Sequence, residues 1–133
     1  MTDNCRIPVV TVVGAYGAPT IHEVCRNVRL AKEAAVMILK QSCAVYCPHH
    51  DLFLATSDPI DVEFLKAASM EFVRCSDAIY VVPGYENSQG TLAEIEEAKK
   101  FGIPVFYDMG RFTSWRSDWE DLNWIEYSRE AII

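Results

Sequence analysis

Long apolar runs, a basic surplus and paired cysteines are what this sequence lacks. No apolar stretch approaches the roughly eighteen residues of a membrane span, and the start Met1-Thr-Asp-Asn-Cys-Arg6 has no signal-peptide core. The expectation is a soluble, cytoplasmic protein. Twelve Lys and Arg against nineteen Asp and Glu leave a formal charge of −7. The basic residues are scattered, which argues against nucleic-acid polymers as partners, because phosphate-backbone binding needs a clustered cationic face. The five cysteines, Cys5, Cys25, Cys43, Cys47 and Cys75, are odd in number and form no Cys-x-x-Cys pair. Most sit in apolar surroundings, and all five read as reduced thiols, neither a disulfide framework nor a zinc site. Gly14-Ala-Tyr-Gly17 is not a Gly-x-Gly-x-x-Gly fingerprint, and there is no P-loop and no Gly-x-Ser-x-Gly elbow.

What is present is an alternation of strand and helix signals. With 133 residues, half of them apolar, and no repeat or linker, the chain has the size of a single domain, 1–133. Pro8 to Val13 is a β-branched run suited to a strand covered on both faces. Val24, Val28, Ala31, Ala35, Ile38 and Leu39 then follow helical spacing, with Thr20 or His22 near the start. Ala44 to Cys47 reads as a second strand closed by Pro48, and residues 51 to 60 as loop. Asp61 to Arg74 reads as a helix with Val62, Leu65, Ala68, Phe72 and Val73 inward, its acidic start and basic end suiting the dipole. A strand Ala78 to Val82 follows, then a helix with Leu92, Ile95, Ala98 and Phe101 inward, a stop at Gly102, and a strand Pro104 to Tyr107. The segment 108–133 is rich in aromatics (Phe112, Trp115, Trp119, Trp124, Tyr127) and reads as a loop followed by a helix from about Ser117. The whole predicts an α/β fold, a Rossmann-like three-layer α/β/α sandwich on a mainly parallel sheet.

In open sheets of this class ligands lie outside the carboxyl ends of the strands. That rule gathers Gly14 to Gly17, His49-His50 and Gly84 to Glu94 into one neighbourhood. Ser88-Gln89-Gly90-Thr91 opens a helix whose first N–H groups lack internal partners, an anion pocket in the making, and Gly90 lets a ligand approach the backbone. Ser88 or Thr91 is equally a plain N-cap. Glu94 has two readings: Thr91-x-x-Glu94 matches a capping box, the more frequent case, while a carboxylate at this mouth is also placed as a nucleophile toward an anomeric carbon. Tyr16 reads as a stacking surface for a base or sugar, or as a half-buried loop aromatic. His49 and His50 read as loop or substrate-contact residues, since two adjacent histidines make a weak metal motif. Glu96 and Glu97 read as solvated, and Asp77 as a turn cap.

These residues resemble the nucleoside 2-deoxyribosyltransferase superfamily, including its deoxynucleotide N-glycosidase branch and small bacterial and phage relatives. The resemblance rests on the strand ending Gly14-Ala-Tyr16, on Arg26-Asn27-Val-Arg-Leu-Ala31, on the strand ending Pro48-His49, and on Cys75-Ser-Asp77. Its most specific part is Ser88-Gln-Gly90-Thr-Leu-Ala-Glu94-Ile-Glu-Glu-Ala98 followed by Gly102-Ile-Pro-Val105. It implies cleavage or exchange of the bond between a sugar C1′ and a nucleobase, with Glu94 as nucleophile. Ser88 would select a 5′-phosphate, held with the Gly90 and Thr91 amides, and Gly14, Tyr16 and His49 would contact the rest of the substrate. The partner is then a nucleoside monophosphate, no metal or organic cofactor is required, and a homodimer or higher homo-oligomer is expected, with a neighbour's C-terminal segment completing the site. In one respect the sequence departs from the family pattern. Eight residues before Asp77, where the family carries a second carboxylate that assists the leaving base, this chain has Ser69. Either Glu71 or His49 substitutes, or the protein binds a nucleotide without turning it over.

Overall fold

The computed structural model describes residues 6–48 and 61–119. In chain order these form β1 (Val9–Val13), α1 (Ile21–Leu39), β2 (Ala44–Tyr46), α2 (Val62–Arg74), β3 (Ala78–Val81), a 3-10 turn at Tyr85–Asn87, α3 (Gln89–Lys100), β4 (Val105–Phe106) and α4 (Met109–Ser117). His49, His50, the expected loop over 51–60, Cys5, Trp124 and Tyr127 lie outside the described residues.

The sheet is parallel in the order β2-β1-β3-β4. Val10 and Val12 on one face of β1 pack with Ala31, Ala35 and Ile38 of α1 and with Phe112 of α4. Val13 of β1 and Ile79 and Val81 of β3 pack on the other face with Val73 of α2 and with Ile95 and Ala98 of α3. Period-two alternation thus sends successive strand side chains into two cores, and the three-layer α/β sandwich follows.

Local chemistry sets the helix ends. Thr20, Asp61, Ser88 and Asp108 each cap a helix by accepting a first-turn N–H. Gly102 stops α3 with a φ of 70° while the Ile103 N–H bonds back to the Ala98 carbonyl at 2.8 Å. Ser42 takes a φ of 61° past the end of α1. The buried Arg116 guanidinium secures that end, donating to the Gln41 carbonyl at 2.8 Å and to the Ser42 carbonyl at 3.2 Å. Asp77 has the structural role expected of it: its carboxylate takes two bonds from Arg6 at 2.6 and 2.7 Å and the Val9 N–H at 2.7 Å, at the amino end of the β1–β3 pair.

Several expectations need correction. Leu39 is 55% exposed, because Ala31, Ala35 and Ile38 take the inward stripe and a residue one step further turns about 100° away. Phe101 is exposed as the C-cap of α3, and it is Thr91 that is buried at the other end of that stripe. Phe72 is half-exposed and stacks on Tyr46 with ring centroids 4.0 Å apart. The helix expected from about Ser117 lies almost wholly outside the described residues. The stretch from residue 108 expected as loop is instead a helix: Asp108 accepts the Arg111 N–H at 2.9 Å and caps α4, which ends at Ser117. The low intrinsic helicity of this segment is overcome by packing. Phe112 is fully buried against Phe106 and Tyr80, with Trp115 beside it. Within this segment Phe112, Trp115 and Trp119 pack on one another, and the Trp119 indole N–H donates to the Arg6 carbonyl at 3.0 Å. That contact lies at the amino edge of the sheet, away from the carboxyl ends of its strands.

The central pair closes tightly where β1 ends. The Val82 N–H bonds to the Val13 carbonyl at 2.8 Å, and a Cβ on Gly14 would stand 2.8 Å from the Val82 Cβ. Since Val82 is itself buried against the core, it cannot give way cheaply. Gly14→Ala is expected to cost roughly 1–3 kcal/mol of stability, seen as a lower midpoint in urea unfolding with an unchanged slope.

Candidate active site

The chain leaves β1 for β2 on one side and returns to β3 on the other, so the order of strands reverses between β1 and β3. A crevice at the carboxyl ends of that pair is where such sheets hold ligands. A cavity of about 450 Å³ occupies it, lined by Gly14, Tyr16 and Gly17 after β1, by Lys66, Ser69 and Met70 of α2, and by residues 88–91, Ala93 and Glu94 at the start of α3. Gly14, Tyr16, Ser88, Gly90, Thr91 and Glu94 are therefore brought together as expected, and Pro48, one residue before His49, is also in the wall. The loop carrying Tyr16 is tied to α1, whose Asn27 side-chain amide donates to the Tyr16 carbonyl at 3.2 Å.

The capping-box reading of Glu94 is overturned. Ser88 is the N-cap: its Oγ accepts the Thr91 N–H at 3.3 Å and lies 2.9 Å from the Thr91 hydroxyl. Glu94 is thus a turn too far along to reach back to the cap residue, and it is bonded instead by Ser69 of the neighbouring helix, Oγ to Oε2 at 2.6 Å. The expected anion cradle shifts by one residue for a related reason. The Thr91 amide is occupied by Ser88, while among the described residues the Gln89 and Gly90 N–H groups have no protein partner. Both residues are exposed to the cavity, and a Cβ at Gly90 would meet nothing within 4 Å. These two donors stand at the positive end of a twelve-residue helix. When the Thr91 hydroxyl donates to Ser88, the serine keeps its own proton for an anion.

Glu94 is half-buried, and burial pushes its carboxyl above the usual glutamate range, while the Ser69 hydroxyl acts the other way by bonding the ionised form. One turn along α3, Glu97 is not solvated as expected but paired with Arg74 of α2, which also holds Glu71 at 2.7 Å. Glu71 is thereby committed to Arg74, which lowers its pKa, and it is absent from the cavity wall. It is therefore not placed to act as a second carboxylate in this cavity. Among the described residues no group of three or more His, Cys, Asp or Glu is placed to hold a metal ion.

Lys66 and Met70 are the wall residues that sequence reasoning missed. Their signal was the helical spacing Lys66-x-x-Ser69-Met70, which puts all three on one face of α2.

A crevice at the strand-order reversal of a parallel α/β sandwich, with a helix mouth and one carboxylate in its wall, makes this cavity the candidate small-ligand site. Residues 8–108 match the family model described as Domain of unknown function (DUF7768), and the chain belongs to that family. A search of curated proteins gives no match.

The raised pKa of Glu94 has a consequence for stability. A carboxyl that binds its proton more tightly in the folded state favours folding below its unfolded pKa, and that advantage is lost as pH rises through the folded value. At neutral pH Glu94 is therefore a liability. Glu94→Gln is expected to stabilise the fold at pH 7 by on the order of 1 kcal/mol, a few degrees in Tm, with the gain vanishing near pH 4; thermal melts of both proteins across pH check it.

Proposed function

We propose that this protein cleaves or exchanges the base–sugar bond of a nucleoside 5′-monophosphate, with Glu94 as nucleophile. The observation that carries the reading is the sharing of one cavity by Glu94 and by the Gln89 and Gly90 amides beside Ser88, which are free among the described residues. A phosphate on those donors leaves the sugar extending along the wall toward Glu94, one turn further down α3. Tyr16 and the Gly14 loop then border the base. In the reaction a Glu94 oxygen forms a bond to C1′ as the C1′–N bond breaks, and its electron pair leaves with the base nitrogen, which takes up a proton. Water or a second base next attacks C1′ and releases the carboxylate.

A second reading, nucleotide capture without cleavage, is favoured by one observation: the side chain facing Glu94 is the hydroxyl of Ser69, which is far too weak an acid to protonate a leaving base at neutral pH.

Incubation with ribo- and deoxynucleoside monophosphates, with and without an acceptor base, followed by chromatography, is expected to show base release that Glu94→Ala reduces at least 10³-fold. Release that survives Glu94→Ala defeats the nucleophile. A rise in Tm with a nucleotide but no product selects the binding reading. In either case the cradle predicts that a monophosphate raises Tm more than its parent nucleoside, and that Gly90→Pro, which removes a free donor, narrows this difference.

A further inference from the structure

Serine inside a helix usually returns its hydroxyl to the carbonyl four residues earlier. This chain shows the habit near helix ends: Ser76 Oγ donates to the Phe72 carbonyl at 2.8 Å, and Ser117 Oγ to the Thr113 carbonyl at 3.0 Å. Ser69, in the middle of α2, does not. Its hydroxyl crosses to the next helix and donates to Glu94 Oε2 at 2.6 Å, the short distance of a hydroxyl meeting a charged acceptor. The crossing is held in register by the Arg74–Glu97 pair, which joins the same two helices about a turn further along. Among the described residues Glu94 Oε1 has no protein partner.

We propose that Ser69 is a positioning residue for Glu94: its hydroxyl fixes Oε2, sets the plane of the carboxylate against the cavity and leaves Oε1 as the attacking atom. This rests on the reading of Glu94 as a nucleophile. A carboxylate at position 69 would repel an ionised Glu94 and compete with it for a proton. A hydroxyl instead favours the ionised form, opposing the burial that works against it. Among the described residues the titratable side chains that share the cavity wall with Glu94 are Lys66 on α2 and Tyr16 in the loop after β1, and about a turn further along the α2–α3 seam Arg74 pairs with Glu71 and Glu97. Ser69 is the one that bonds the carboxylate directly.

The test uses the full chain with Ser69→Ala, Ser69→Cys and Ser69→Thr, each melted in parallel with wild type. Carbon NMR of protein labelled at the glutamate carboxyls, with the Glu94 signal assigned through Glu94→Gln, follows its titration without requiring turnover. The Glu94 midpoint is expected to rise in Ser69→Ala, to rise partway in Ser69→Cys, whose thiol is a weaker donor of similar shape, and to return in Ser69→Thr. With a nucleotide that is turned over, the acid limb of kcat/KM moves to higher pH by the same interval. Near neutral pH kcat falls about tenfold in Ser69→Ala while KM changes little. A Glu94 midpoint identical in wild type, Ser69→Ala and Ser69→Cys overturns the proposal. If wild type turns over no nucleotide, the glycosidase reading fails and the NMR midpoint alone still decides what Ser69 does. Should Ser69→Ala not fold, Ser69→Cys and Ser69→Thr carry the comparison.

Discussion

The pairing of β1 with β3 is the constraint on which the rest of this structure depends. Four residues of each strand run side by side, from Val10↔Ala78 to Val13↔Val81, and the pair is closed below by the Asp77 carboxylate and above by the Val82 N–H. Because the strands are parallel, both of their following loops emerge at the same edge. The approach is so close there that a side chain on Gly14, the residue after β1, would press on Val82. Gly14 is thus a packing requirement first, and the opening it leaves beside Tyr16 is a by-product of that requirement. The helix mouth at residues 88–91 is delivered to the same place by a 3-10 turn that begins just after β3, entered through Gly84 at a φ of 93°.

The second organising contact is the seam between α2 and α3, where two cross-helix bonds do different work. Arg74 spans Glu71 and Glu97, with a guanidinium partly withdrawn from water and one carboxylate largely withdrawn. Exposed pairs of this kind contribute little, and the Glu97 arm gains from its lower exposure and from fixing two helices at once. Ser69 to Glu94 joins the same helices but ends on a carboxylate facing a cavity. The first bond sets register, and the second uses it.

Most of the fold was legible in the sequence because its signals are local. The β-branched run at Val9 to Val13, the cap residues Thr20, Asp61 and Ser88, and the stop at Gly102 each act within a turn of their own position. The strand order was not written locally, yet the carboxyl-end rule still collected Gly14, Tyr16, Ser88, Gly90, Thr91 and Glu94 correctly, because parallel strands put their following loops at one edge whatever their order. What could not be read were contacts across elements. The pattern Thr91-x-x-Glu94 satisfies a capping box on paper, but the true cap lies three residues earlier, and only the neighbouring helix reveals the partner of Glu94. The helix Met109–Ser117, where a loop was expected, has the same origin: Gly110 and Thr113 argue against helix locally, and the burial of Phe112 against β3 and β4 decides it.

Under the proposed reaction, one side chain faces two incompatible demands. The group opposite the nucleophile can give a proton to the departing base or a hydrogen bond to the attacking carboxylate, and a single hydroxyl, whose proton lies toward Oε2, cannot do both. A carboxylic acid at position 69 would serve the base, at the cost of setting two acids beside each other in a half-buried site where only one ionises readily. Serine settles the conflict in favour of the nucleophile. That choice matters more here than in an open site, because burial already biases Glu94 toward its neutral, unreactive form. Ser69 thus looks like a missing acid when the sequence is read alone. Beside Glu94 it is a hydrogen-bond donor to the carboxylate, and under the proposed reaction the demand for a leaving-group proton passes to whatever else borders the base or to the chemistry of the base itself.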